Sequence, residues 1–364
     1  MKRKQPKPIV YFSVNSFLGG AEVATVNFCF SHIKNSKYKA ILVVLNDGPI
    51  VKYANDRNVE VVILNSFVSF SNPLSILKAA SKLRNLLLTR NIEIIHSSMA
   101  YAHILSSIAT FGLDIKKVHY GHGPVDTIFD FLGSLLACDL QLFNSEYLRR
   151  KSYKFIKIKD SPERIVYPIT KSFDFVERSR ELMYCVSFLG RISRFKGIET
   201  IISAINTYNQ TESKKINLII CGQANSLDDK KYEEELRQLG RSPYIHFVGA
   251  TDKPEEIFCK SDLIIHSSVD FEPFGMVLAE AMSSGTPVIL SEQCTLSTYF
   301  KKYPLLILPQ CIEGRDDILV KKIKHFYNLS DQEREQISLD MKICYQSYLD
   351  SSHIITKLEA LYEF

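Results

Sequence analysis

Short apolar runs alternate with longer amphipathic ones along nearly all of this 364-residue chain, and that rhythm constrains its fold more than any single motif. It predicts parallel strands joined by crossover helices, in a sheet covered on both faces. In the first half the runs predict strands at 8–14, 40–45, 59–64, 92–96, 117–120 and 140–143. In the second half they predict strands at 184–189, 217–221, 245–248, 263–266, 287–290 and 305–308. Helical periodicity is clearest at 74–88, where Leu74, Leu77, Leu83, Leu86 and Leu87 share a stripe and Lys78, Lys82 and Arg84 lie elsewhere. Further helices are expected at 197–208 and 229–239. The period is lost through IVYPITKSFDFVERSR, near 168–180, so two domains are expected, 1–172 and 173–348. Two successive βα domains place a cleft between the carboxyl ends of their sheets, where loops and helix N-termini converge.

Composition excludes several classes. A net charge of +5 is too mild to argue for nucleic acid. The most apolar stretches, 94–112 and 128–143, are interrupted by His96 and His103 or by Asp130 and Asp139, which argues against a transmembrane helix. The start, MKRKQPKPIVYF, runs into a strand-like segment and does not read as a secretion signal. The eight cysteines include no C-x-x-C pair, so they are expected to pack as small hydrophobes in a reducing compartment. One basic cluster, Arg149, Arg150, Lys151, Lys154, Lys157 and Lys159, is interleaved with aromatic and aliphatic residues. It reads either as a solvated helix end or as a surface for anionic lipid.

The segment FEPFGMVLAEAMSSGTP carries the most chemistry. Glu272 and Glu280 flank a Pro-Phe-Gly turn that delivers Phe274 and Gly275 into a helix start at 276–282. Such a turn aims backbone N–H groups and the positive end of the helix dipole at an anion. A carboxylate on either side can hold hydroxyls, which suits a sugar nucleotide. In LGRISRFKG, Arg191 and Lys196 lie on a strand-to-helix loop and can neutralise a diphosphate from two sides. Near the front, Gly19-Gly20 joins strand to helix, but without a full G-x-G-x-x-G or a following acid, which weakens a dinucleotide reading. His122 stands between Gly121 and Gly123 just past a strand, placed to point into a cleft, whereas His119 reads as packing. His96 and His266 end strands and are weaker candidates. No Asp-x-Asp occurs and no metal site is expected.

Taken in order, SFLGGAEVATVNF, EIIHSSMAYAH, VHYGHGP, CDLQLFNSEYLRR, RIVYP, LGRISRFKG, FVGATDKPEEIFCKSDLIIHSS and FEPFGMVLAEAMSSGTPVI resemble family 4 of the retaining glycosyltransferases. The resemblance implies an α/β GT-B fold of two Rossmann-like doubly wound domains, the first on the acceptor side and the second binding the nucleotide-sugar donor. It implies that 349–364, around Ile354–Tyr362, forms a helix returning to the first domain. Carried onto this chain, Arg191 and Lys196 bind the donor diphosphate and Glu272 contacts the transferring sugar. Backbone at Phe274, Gly275, Met276 and Val277 covers the phosphates, and Glu280 holds ribose hydroxyls. Gly20 and His122 face donor sugar and acceptor, with Gly19, Gly190, Gly222 and Val248 completing the donor-binding set. No cofactor or metal is expected beyond the sugar nucleotide. The acceptor is expected to be a glycan or lipid-linked glycan of a bacterial surface polysaccharide, and the enzyme to be cytoplasmic, in peripheral contact with the inner face of the membrane. After Pro287 the chain departs from the family pattern with SEQCTLSTYFKKYPLLILPQ, which puts the outer wall of the donor pocket in doubt. A GT-B epimerase or phosphorylase, or a non-catalytic nucleotide-sugar-binding subunit, are the alternatives.

Overall fold

The computed structural model describes residues 6–35, 37–69, 71–123, 127–153, 163–174, 183–310 and 314–363. The chain divides into two compact units, Met1–Thr170 with Asp350–Phe364, and Lys171–Leu349. Each is a Rossmann-like α/β layer structure.

The first unit holds β1 (Lys7–Ser13), β2 (Tyr38–Val44), β3 (Glu60–Ile63), β4 (Ile94–Ser98), β5 (Lys116–Gly121), β6 (Leu140–Phe143) and β7 (Glu163–Ile165). They form one sheet in the order β3-β2-β1-β4-β5-β6-β7, every pair parallel. Runs such as IVYF and ILVV are buried throughout because helices cover both faces. One face packs Val26 and Phe28 of the helix Gly20–Asn35 with Ile354, Leu358 and Tyr362 of the last helix, Ser351–Tyr362. The other packs Ala79, Leu83 and Leu87 of the helix Pro73–Thr89 with Ala102 and Leu105 of the helix Met99–Ala109.

The second unit holds β8 (Tyr184–Leu189), β9 (Ile216–Cys221), β10 (Ile245–Gly249), β11 (Leu263–His266), β12 (Val288–Ser291) and β13 (Ile307–Leu308). Their order is β10-β9-β8-β11-β12-β13, again all parallel. In each sheet the order reverses beside the first strand, at β1/β4 and at β8/β11. A crevice opens at such a point because successive crossovers leave on opposite sides.

Three expectations are corrected. Strand β7 is absent from the sequence reading because three residues at a sheet edge carry no period to detect. The strand expected at 305–308 shrinks to Ile307–Leu308, because Pro304 starts a 3₁₀ turn, Pro304–Leu306, ahead of it. On the helix Pro73–Thr89, Leu74 and Leu77 lie outside the core, in solvent. The core stripe runs instead through Ala79, Ala80, Leu83 and Leu87.

Candidate active site

The second unit's crevice is built at the ends of β8, β9 and β11. Gly190 follows β8 and its N–H donates to Cys221 O at 3.0 Å. Gly222 follows β9 and its N–H donates to Gly249 O at 2.8 Å. A Cβ on Gly222 would sit 1.9 Å from Gly190 O, so only glycine lets these two strand ends close on each other. Beyond Gly190 the chain makes a 3₁₀ turn, Arg194–Lys196, and Gly197 then enters the helix Ile198–Thr211 with φ +60°. This turn is stitched to the loop after β11. Ser267 Oγ donates to Gly197 O at 2.7 Å, and Val269 N–H donates to Phe195 O at 3.0 Å.

That stitching delivers Lys196 to the end of β11. Its Nζ lies 2.5 Å from Glu272 Oε2 and 3.2 Å from His266 Nε2. Ser268 Oγ donates to Glu272 Oε2 at 3.5 Å and lies 3.2 Å from His266 Nδ1. With the Ser268 hydrogen given to the carboxylate, the imidazole carries its proton on Nδ1, and Nε2 accepts from the ammonium. Burial, and then the Lys196 charge, hold His266 down to about 3, so the ring is neutral. Burial alone would raise the Glu272 carboxyl, but Lys196, His266 and Ser268 outweigh it and keep it below its ordinary value. The pair is therefore charged and nearly enclosed, with side chains 14% and 11% exposed.

The turn after Glu272 is held from one side. Thr295 N–H donates to Glu272 O at 3.2 Å, Thr295 Oγ1 to Pro273 O at 2.7 Å, and Cys294 Sγ to Phe274 O at 3.3 Å. Cys294 and Glu272 also form an isolated β-bridge. Phe274 is buried, and Gly275 takes φ +85° to start the helix Met276–Ser284. A Cβ on Gly275 would meet Leu278 Cδ1 at 2.9 Å and Cys294 Sγ at 3.2 Å. First-turn N–H groups lack an intrahelical acceptor, so Met276 and Val277 present an anion-binding end. The unusual segment after Pro287 thus supplies the brace of this turn.

Buried Arg315 adds a second brace, donating to Ser268 O at 2.9 Å and to Ser291 Oγ at 2.7 Å. Sequence reasoning missed Arg315, Ser268 and Thr295. Arg315 follows a glycine at a helix start, Arg315–Asn328, and reads there as one more surface cation. Glu280 is half-buried, and burial, opposed by Lys171 and aided by Glu255, lifts its carboxyl to about 7. Arg191 and Val248 are exposed. No hydrogen bond or ion pair joins Arg191 or Glu280 to the Lys196–Glu272 pair among the described residues.

In the first unit, Glu22 occupies the Gly19-Gly20 turn. Its buried carboxylate accepts from Gly19 N–H at 3.1 Å and from Asn15 Nδ2 at 2.8 Å. His122 is fixed by a relay. Thr25 Oγ1 gives its hydrogen to Ala21 O, so Ser98 Oγ donates to Thr25 and accepts from His122 Nε2 at 2.9 Å. Nδ1 is left as the acceptor. Burial, and then His119, hold His122 down to about 3, so it is a neutral hydrogen-bonding group. His119 packs flat on His103 and bonds Gln141. His96 is a core residue rather than a site residue. Its Nδ1 bonds Tyr362 Oη at 2.7 Å and its ring stacks on Tyr11, docking the last helix.

Among the described residues no group of three or more His, Cys, Asp or Glu is placed to hold a metal ion. No described helix is long and apolar enough to cross a membrane. Of the basic cluster, Arg149, Arg150 and Lys151 lie on the helix Glu146–Tyr153, and Lys154, Lys157 and Lys159 fall outside the described residues.

Two sequence families match. Residues 171–338 match "Glycosyl transferases group 1" and residues 18–168 match "Glycosyltransferase Family 4". An uncharacterized glycosyltransferase of Methanocaldococcus jannaschii is 36% identical over 109 residues, 29% of this chain and 26% of that protein. The lipopolysaccharide glucosyltransferase WaaG of Escherichia coli is 26% identical over 148 residues, 37% of each chain. These alignments therefore span only about a quarter to a third of the relatives' lengths. The Anabaena protein HepE, solved in complex with UDP and glucose, superposes with a TM-score of 0.80 at 18% identity, covering 98% of this chain and 99% of that one.

Proposed function

Since the chain belongs to the family 4 glycosyltransferases and has their GT-B fold, we propose that it moves a sugar from a nucleoside diphosphate sugar to a hydroxyl, with retention at the anomeric carbon. The observation that carries this reading is the enclosed Lys196–Glu272 pair beside an open helix N-terminus at the β8/β11 crevice. In the donor complex the diphosphate takes the place of Glu272 on the Lys196 ammonium, with Arg191 on its other side. The carboxylate so released turns to the sugar hydroxyls. These cations and the Met276–Val277 N–H groups then stabilise charge on the leaving diphosphate without a metal ion. The bond from the anomeric carbon to the phosphate oxygen breaks, the acceptor oxygen bonds to the same face, and its proton passes to the leaving phosphate. His122 Nδ1 accepts a hydroxyl hydrogen in this reading. Uridine is the favoured base, from the UDP bound by HepE. A glycan or lipid-linked glycan is the favoured acceptor, from the lipopolysaccharide named for WaaG, and transfer then takes place on the cytoplasmic side.

The test is proton NMR of the product formed from an α-linked UDP-sugar. An α-linked product is expected. A β-linked product would overturn retention, and epimerised donor formed without acceptor would support the epimerase alternative.

Glu280 gives the site a pH signature. As the base that holds ribose hydroxyls it acts best ionised, and burial keeps it protonated below about 7. From about pH 6 to about pH 8 the ionised fraction rises about tenfold, and UDP affinity is expected to rise with it. Glu280→Gln should lack that step. Parallel pH profiles in calorimetry would remove Glu280 from the ribose site.

A further inference from the structure

A cavity of about 520 Å³ opens within the second unit, between the 3₁₀ helix Thr295–Phe300 and the long helix Asp331–Tyr348. That volume is in the range of small-molecule sites. Buried Met282, Phe300 and Met341 give it an apolar lining. Tyr299 and Tyr348 also line it, stacked with ring centroids 5.1 Å apart, and Tyr348 is 52% exposed. None of Arg191, Lys196, Glu272 or Glu280 lines it, so it is separate from the donor crevice.

Its polar groups gather at Asp340. Oδ2 accepts from Lys302 Nζ at 2.5 Å and from Tyr303 Oη at 2.5 Å, and Oδ1 accepts from Gln336 Nε2 at 2.7 Å. Lys302, and then Tyr303, hold the carboxyl below its ordinary value, so the pair is charged and its charges cancel. Among the described residues no other charged side chain lines the cavity. An ammonium has three hydrogens and a carboxylate about four acceptor positions, so both keep capacity beyond these contacts.

This lining selects its occupant. A charged ligand would have to compete with the Lys302–Asp340 pair. A wholly apolar one would cover the pair and desolvate it without offering a hydrogen bond. A pyranose ring does neither, because it has an apolar C–H face to lie on a tyrosine ring and a rim of neutral hydroxyls to meet acid and ammonium. The wall Thr298–Tyr303 also belongs to the segment after Pro287, where this chain departs from the family pattern. The same segment braces the Glu272 turn through Cys294 and Thr295.

We propose that this cavity is a second sugar site, which holds a short stretch of neutral glycan outside the donor crevice. The choice of a glycan rests in part on the transferase reading, whereas the cavity and its charge-neutral polar lining do not.

The test is saturation-transfer NMR of the intact protein with maltose, lactose and mannobiose, paired with peptide-mapped iodoacetamide labelling of Cys344. That thiol lines the cavity and is half-buried, so an occupant shields it. At least one of these sugars is expected to bind at about 1 mM and to slow Cys344 labelling severalfold at saturation. Tyr299→Ala/Tyr348→Ala should weaken binding about tenfold. Ser347→Trp, at an exposed position on the cavity, should block it with melting temperature and UDP affinity unchanged. No binding of any of these sugars, binding that leaves Cys344 labelling unchanged, or binding retained by Ser347→Trp would overturn the proposal. Shielding of Cys344 by phenol but by no sugar would assign the cavity to an apolar aromatic ligand and overturn it equally. UDP calorimetry on the same samples keeps the two readings apart, since a wild type that binds UDP but no sugar fails here alone.

Discussion

Lys196→Ala is expected to lower turnover roughly a hundredfold to a thousandfold. Removing one partner of a desolvated charge pair costs about 2–5 kcal/mol, and here the ammonium is also the proposed contact to the leaving diphosphate. The same substitution strands the buried Glu272 carboxylate, so stability should fall by about 3 kcal/mol. The two effects can be separated. Lys196→Ala/Glu272→Gln leaves no unpaired charge and should regain most of the stability, yet transfer should stay low. Steady-state rates and chemical denaturation of the single and double variants check both. Turnover that recovered together with stability would reduce Lys196 to a structural role.

Gly222→Ala is expected to be the most destabilising single-methyl change at the site, costing about 3–5 kcal/mol. Its Cβ would lie 1.9 Å from the Gly190 carbonyl oxygen, a backbone atom that cannot swing away. The ends of β8 and β9 would have to part, which displaces the loop carrying Arg191 and Lys196. Gly249→Ala is the control. Gly249 has φ +78°, but a Cβ there meets nothing within 4 Å, so the cost should be only about 1 kcal/mol of left-handed strain. Denaturation midpoints of the two variants test the difference, and equal losses would contradict the steric argument.

The parallel sheets were legible because period is a local property. IVYF and ILVV announce buried strands wherever they occur, and glycines or serines mark the strand ends. Candidate-site residues can be picked out in the sequence where a motif joins them to a turn, as Gly275 is joined to Met276. Contacts made by stitching distant loops cannot be. Lys196 and Glu272 are 76 positions apart, and the pairing of β8 with β11 together with the Ser267 and Val269 hydrogen bonds brings them together. Glu22 reads as a helix-surface acid until its carboxylate is seen closing the Gly19 turn. The segment after Pro287 looks like a departure from pattern, yet Cys294 and Thr295 brace the Glu272 turn, two side-chain donors and one main-chain N–H meeting main-chain carbonyls of the turn. The exposed stripe at Ile128–Leu135 has the period of a core helix, and only its burial reveals that it faces outward.

Calorimetry of UDP binding in chelating buffer tests most directly whether the β8/β11 crevice of the second unit grips a diphosphate through Lys196. Wild type should bind UDP, bind UMP far more weakly, and lose at least about tenfold in UDP affinity as the folded Lys196→Ala/Glu272→Gln variant. Wild type that bound no nucleoside diphosphate, or a double variant that bound UDP as tightly as wild type, would contradict it.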